Sequence, residues 1–283
     1  MGWRQFFTPV KSMNAPDAKA YMDELGEEGF QLVDVRQPAE YQVGHLPGAR
    51  LMPVAELGEA SGDLDPDKPT LVYCAIGGRS RVAAQMLAGK GFSEVINLSG
   101  GIKAWRSNTA VGPEDRGLEL FSGSESLAEV LSVAYGLETA LLEFYESLAG
   151  QIDRADVREV FHRLAAIEVK HQQRIADYYR QVRGGQGEAG EVAGGNVGGT
   201  LEGGLTTKQY LELYQPDLQD VGDVLSLAMA IEAQALDLYQ RAADRADNSE
   251  MKEALAVIAG EERQHLKQLG ELFADKTGSR EEP

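Results

Sequence analysis

The chain has 283 residues, 43% hydrophobic content, one cysteine and a net charge of −18. That length suits two domains better than one, and a lone cysteine excludes an internal disulfide, a four-thiolate iron site and a CxxC redox pair. Residues 1–110 hold 11 Lys/Arg and 13 Asp/Glu, against 16 and 32 in the remainder, so the negative charge is concentrated C-terminally, where it repels nucleic acid and anionic lipid and suits cation capture.

The opening MGWRQFFTPV has no long apolar run, so no secretion signal is expected, and no stretch approaches the length of a membrane span. A reducing, cytoplasmic setting is expected. FQLVDVR (30–36), TLVYCA (70–75) and EVINL (94–98) read as buried strands. SRVAAQMLAGKG (80–91) reads as a helix between the second and third, closed by glycine. Strand–helix–strand alternation predicts an α/β domain over 1–110, a parallel sheet flanked by helices.

Residues 111–123 read as a linker. Beyond it the pattern is wholly helical, predicting an all-α four-helix bundle over 124–283. Helices are expected near 124–149, 154–183, 221–246 and 249–275, with Ser122 and Glu125 as a capping box at the first. Gly150 and the Asp247–Asn248–Ser249 run separate the members of each pair. A long crossover spans 184–220. Its first part, 184–204, contains ten glycines and predicts a flexible connection, and 206–215 predicts a short helix before Pro216. Short, long, short connections suit a bundle with one lengthwise crossover.

Glu138, Tyr145, Glu168 and His171 recur 94 positions later as Glu232, Tyr239, Glu262 and His265. The apolar residues repeat too: seven of seventeen positions match between 130–146 and 224–240, which points to two copies of a helical hairpin. On a helix, i and i+3 share a face, so Glu168 with His171, and Glu262 with His265, each reach one point. Glu138 and Glu232 approach from the other two helices. Four carboxylates and two imidazoles suffice for two adjacent metals, and such a donor set suits iron or manganese rather than structural zinc. Tyr145 and Tyr239, two turns from their Glu, are placed to hydrogen-bond a ligand carboxylate of another helix. One Glu-x-x-His on an acidic helix would be a solvated face; two in register, each with an upstream Glu and Tyr, point to a metal centre. His162, Glu143, Glu146 and Glu261 lack such partners and are expected at the surface.

Cys74 ends a strand and opens Cys74-Ala75-Ile76-Gly77-Gly78-Arg79-Ser80, with a helix behind it. Backbone N–H groups at a helix start, together with the helix dipole, favour a thiolate. Gly77 and Gly78 let the backbone curl around the sulfur. Arg79 adds positive charge and Arg81 helps attract anions. The loop offers uncharged Ala75 and Ile76 beside the sulfur.

Residues 30–106 resemble a rhodanese domain, through LVDVRQPAEYQVGHLPGARLMP (32–53), CAIGGRS (74–80) and INLSGGIKAW (96–105). The resemblance implies that Cys74 accepts sulfane sulfur from a donor, becomes a persulfide and passes the sulfur to a thiol acceptor or cyanide. Asp34 and Arg36 are then structural, and His45 hydrogen-bonds within its turn. Residues 124–275 resemble the ferritin-like superfamily, in particular rubrerythrin and bacterioferritin-type di-iron bundles, at all six ligand positions. This implies two iron ions per chain, with manganese the alternative, oxygen or peroxide redox chemistry, an external electron donor and a homodimer. Rubrerythrins carry an extra carboxylate one turn after the third-helix Glu; here that residue is Ala235, with Leu141 its repeat mate, so a symmetric centre is expected. The combined expectation is a sulfurtransferase joined to a di-iron oxidoreductase. The alternatives are an iron-storage or dimerisation bundle carrying a sulfur-delivery domain.

Overall fold

The computed structural model describes residues 10–105, 109–121, 123–184, 197 and 199–278. The chain divides into two compact units, Met1–Glu114 and Asp115–Pro283. The divide falls inside the predicted linker.

In the first unit, five parallel strands form one sheet in the order β1-β5-β4-β2-β3: β1 Lys11–Met13, β2 Gln31–Asp34, β3 Arg50–Leu51, β4 Thr70–Tyr73 and β5 Val95–Leu98. The helices are α1 Ala15–Leu25, α2 Pro38–Val43, α3 Leu57–Ala60 and α4 Gly78–Gly89. A parallel sheet is covered on both faces, so its inner strands are apolar throughout rather than alternating; TLVY and VINL are buried at every position. Alternate residues nonetheless go to opposite faces. Leu32, Leu71, Tyr73, Ile96 and Leu98 pack with Ala18 and Met22 of α1 and with Trp105. Val33, Val72, Cys74 and Val95 pack with Ala83, Ala84 and Leu87 of α4. That alternation turns the Cys74 side chain toward the α4 face, whose helix begins four residues on.

In the second unit, α5 Leu127–Ala149 pairs with α6 Ala155–Val182, and α8 Val221–Arg245 pairs with α9 Ser249–Thr277. The hairpins meet through α6 on α8 and α5 on α9. The crossover carries α7 Thr207–Tyr214. The first helix starts later than expected. Its cap is Ser126, whose hydroxyl accepts from the Glu129 N–H while the Glu129 carboxylate accepts from the Ser126 N–H. Ser122 lies outside the described residues, and Glu125 instead accepts from the Gly123 N–H. Both pairs fit the S-x-x-E spacing, but only Ser126 stands directly before the apolar run.

The predicted linker is also more structured than expected. Glu114 accepts from the Leu51 N–H within the first unit, and Leu118–Leu120 form a 3-10 turn of the second, burying Leu118 and Phe121 in the bundle core. Helix α8 is buried on almost every side. Its far face lies under the crossover, where Gly203 and Gly204 take φ near +80°. A Cβ on Gly203 would stand 2.3 Å from Gln234 Cγ, and one on Gly204 2.5 Å from Gly117 Cα, so only glycine fits. Asp237 and Arg241 form a buried ion pair there, and Arg241 also donates to the Arg116 carbonyl at 3.3 Å. Among the described residues no helix is long and apolar enough to cross a membrane.

Candidate active site and metal centre

Gly77, at φ +95°, ends the Cys74 loop and caps α4. Cys74 is 1% exposed. Its Sγ accepts from the Gly77 N–H at 3.2 Å and lies 3.5 Å from the Ser80 hydroxyl. Burial works against ionisation, but the Ser80 hydroxyl and the N–H groups of Ser80, Ile76 and Gly77 outweigh it, so the thiol pKa is lowered. An alkylation profile of the full chain against pH is therefore expected to reach its midpoint below that of a free cysteine.

The other side of the loop is held by the Ser99-Gly100-Gly101 turn. Ile102 N–H donates to the Cys74 carbonyl at 2.9 Å and Lys103 N–H to the Ala75 carbonyl at 3.2 Å. Gly101 has φ +60°, and a Cβ on it would stand 2.2 Å from the Cys74 carbonyl oxygen. The obstacle is backbone and does not rotate away. Gly101→Ala is expected to destabilise the first unit by about 1–3 kcal/mol, read by thermal melting.

The sequence reading made Arg79 a fixed positive charge beside the sulfur. Its guanidinium does interact with Cys74, and it also donates to both oxygens of Glu40, each at 2.7 Å. The pair holds Glu40 down to about 2. Glu40 lies in α2, 39 residues upstream, so no local spacing announced it. Ile76 is 66% exposed at the loop edge, and Arg81 is exposed on α4. Asp34 and Arg36 form a buried ion pair at 2.7 Å, and Arg36 also binds the Gly44 carbonyl. His45 is buried, its Nδ1 3.0 Å from the Tyr41 carbonyl, and its ring stacks on Tyr41. The sequence reading missed Asn97, whose Oδ1 accepts from the Ser80 hydroxyl at 2.7 Å. A lone amide inside VINL was the available signal.

In the second unit all six expected ligands are buried, at 4% exposure or less. His171 Nδ1 is 3.2 Å from Glu138 Oε1 and 3.1 Å from Glu168 Oε2. His265 Nδ1 is 3.7 Å from Glu232 Oε2 and 3.4 Å from Glu262 Oε2. The two triads meet where the imidazoles stack, with centroids 3.6 Å apart and the Nε2 atoms facing each other. Two overlapping groups have donor atoms close enough for one ion: Glu138, Glu168 and His171, and His171, Glu262 and His265.

The donors fit a cation. Both oxygens of Glu168, Glu232 Oε2, and Nδ1 of His171 and of His265 are buried without a hydrogen-bond partner. Unpartnered buried carboxylates are costly unless opposite charge compensates them. Burial, with the facing Glu232 charge, pushes the Glu168 pKa up. Burial acts on Glu232 too, but the neighbouring His265 and Glu262 prevail and hold its pKa down. Oxygen and imidazole donors without thiolate suit iron or manganese.

Tyr145 and Tyr239 are buried, Tyr145 against Phe144 and Phe161 and Tyr239 against Phe121. Ala235 and Leu141 are fully buried, so neither repeat places a further carboxylate at that position. His162, Glu143 and Glu146 are exposed. Glu261 is half-buried and pairs with Arg174 at 3.2 Å instead of facing solvent alone.

Comparison with known proteins assigns each unit. A family described as rhodanese-like domain matches residues 17–108, and one described as rubrerythrin matches residues 129–212 and 223–283. The thiosulfate sulfurtransferase GlpE of Ectopseudomonas mendocina is 41% identical over 96 residues, 32% of this chain and 88% of that protein. The chloroplastic rhodanese-like/PpiC domain-containing protein 12 of Arabidopsis thaliana is 37% identical over 102 residues, and the match spans 34% of each chain, about a third of the length of that relative. The crystal structure of a rhodanese-related protein from Thermoplasma volcanium is 32% identical with a TM-score of 0.31, covering 34% of this chain and 90% of that one.

Proposed function

Because this chain belongs to the rhodanese-like family through its first unit and to the rubrerythrin family through its second, we propose that it is a sulfurtransferase joined to a di-iron redox protein. The sulfur half rests on one observation: the chain's only thiol lies in a ring of N–H and O–H donors that lower its pKa.

The Cys74 thiolate attacks the outer sulfur of a donor persulfide, R–S–S⁻. An Sγ–S bond forms, the donor S–S bond breaks, and the donor leaves as its thiolate R–S⁻. An acceptor thiolate or cyanide then takes the outer sulfur, and Cys74 leaves as thiolate. The cycle needs no external oxidant or reductant. The N–H groups around Sγ stabilise the anion before attack and after release.

The donor class follows from charge. Glu40 neutralises Arg79, and Ile76 presents an apolar edge, so the mouth favours a thiol-borne persulfide over a small dianion. Glu40→Gln keeps the α2 cap, since glutamine serves there as well as glutamate, but leaves the guanidinium charge uncancelled. Its KM for thiosulfate is expected to fall by about threefold to tenfold, with little change for glutathione persulfide. An unchanged thiosulfate KM would contradict this account of the donor.

The bundle half rests on the buried, unpartnered donor atoms of the two triads. Glu138, Glu168 and His171 would hold one iron, and Glu232, Glu262 and His265 the other. Two irons so held would supply electrons to oxygen or peroxide, restored by an external electron donor. Tyr145 and Tyr239 orient the carboxylates.

A further inference from the structure

We propose that Asn97 is a positioning residue for the Cys74 thiol, acting through the Ser80 hydroxyl. The inference rests on the reading of Cys74 as the sulfur-accepting nucleophile.

Asn97 sits in the middle of β5, in a strand buried at every position, and is itself 4% exposed. An amide buried among Val95, Ile96 and Leu98 is costly unless its polar atoms are satisfied. Strand alternation turns it, with Val95 and Cys74, to the α4 face. Its Oδ1 accepts from Ser80 Oγ at 2.7 Å, and its Nδ2 donates to Ser12 Oγ of β1 at 3.3 Å. Ser80, fully buried, stands 3.5 Å from Cys74 Sγ.

The Ser80 hydroxyl has one proton and two neighbours that accept it. While Cys74 is a thiol, the proton goes to Asn97 and a Ser80 lone pair faces the S–H. In the thiolate, Sγ is the stronger acceptor because it is charged, and the hydroxyl turns to it. Once Sγ carries a second sulfur it is no longer the anion, and the hydroxyl returns to Asn97. The amide thus gives a buried O–H a partner whenever the sulfur does not claim it. It also competes with the thiolate, holding the thiol pKa higher than the Ser80 and N–H donors alone would set it. An attacking thiol works best with a pKa near ambient pH.

Three charged groups lie about the loop: Arg79 of α4, bonded to Glu40 of α2, and the exposed Lys103 of the turn that buttresses it. None of these changes in the test.

The test measures iodoacetamide alkylation of Cys74 against pH in the full chain. Ser80→Ala removes the donor, and alkylation at pH 7 is expected to slow by about tenfold. Asn97→Val suits a buried strand and removes the competitor, along with the bond to Ser12 of β1; its thiol pKa is expected to fall, with alkylation at pH 7 faster by several-fold. Asn97→Ala, smaller still, is expected to do the same and serves if the valine variant fails to fold. Ser80→Thr keeps the hydroxyl and is expected to restore the wild-type profile. In the Ser80→Ala background, Asn97→Val is expected to change nothing, because its route is gone. Folding of each variant is checked by thermal melting. A thiol pKa that rises or stays fixed in the folded Asn97 variants overturns the proposal. So does a shift of equal size in the Ser80→Ala background. Failure of the underlying reading shows elsewhere, as sulfur transfer that survives Cys74→Ser.

Discussion

Cys74→Ser is expected to reduce sulfur transfer to cyanide to the uncatalysed rate while leaving the chain folded. The substitution keeps a small side chain at the mouth of α4. Its hydroxyl can still accept from the Gly77 N–H, the bond now made to sulfur at 3.2 Å. An alcohol, however, does not ionise near neutral pH and cannot carry the transferable outer sulfur. Stability is expected to change by less than about 1 kcal/mol, since no charge is buried and little volume is lost. Thiocyanate formation from a persulfide donor, together with a melting curve, checks both parts. Retained turnover would remove Cys74 from its role.

Glu168→Ala with Glu262→Ala is expected to abolish metal binding and leave sulfur transfer intact. Each glutamate comes from a different hairpin, and each lies within 3.4 Å of its histidine nitrogen. Losing both removes a carboxylate from each triad, and the remaining donors no longer surround an ion. A metal that binds only the folded bundle stabilises it by about 2.7 kcal/mol at a hundredfold excess over its Kd. Wild-type protein is therefore expected to melt lower after chelation and to recover with ferrous iron. The double variant is expected to show neither response. A variant that still melts higher with iron would contradict the ligand assignment, and loss of both activities would contradict the independence of the two sites.

The parts legible in the sequence were those written in local spacing. The four long helices announce themselves through the 94-residue repeat and the breaks at Gly150 and Asp247–Ser249. Glu168 and His171, or Glu262 and His265, share a face because of their i, i+3 spacing alone. Strands β2, β4 and β5 are short apolar runs between turn residues, as a doubly covered parallel sheet requires. The elements that went unread were too short or too polar to show a period. Strand β3 has two residues, and β1 is a mostly exposed Lys-Ser-Met. Helix α1 carried a readable start, with Asn14 as cap and Pro16 in the first turn, but its apolar stripe is weak.

Long-range partners were not legible for a different reason. Glu40 and Arg79 are 39 residues apart, and Ser80 and Asn97 are 17 apart. Only the parallel pairing of β4 with β5, and the return of α2 toward the loop, brings them together. The near-complete burial of α8 was equally hidden, because it depends on Gly203 and Gly204 lying flush on Gln234 and Gly117. The sequence reading therefore singled out Cys74 and the six candidate ligands, and it missed Glu40 and Asn97, which reach the Cys74 loop from other elements.

The most direct test of the central claim is metal analysis of the full chain after ferrous iron loading and removal of excess. The two triads predict about two irons per chain. A stoichiometry near zero would contradict the metal centre, leaving the thiol chemistry of the first unit as the only activity argued from this molecule.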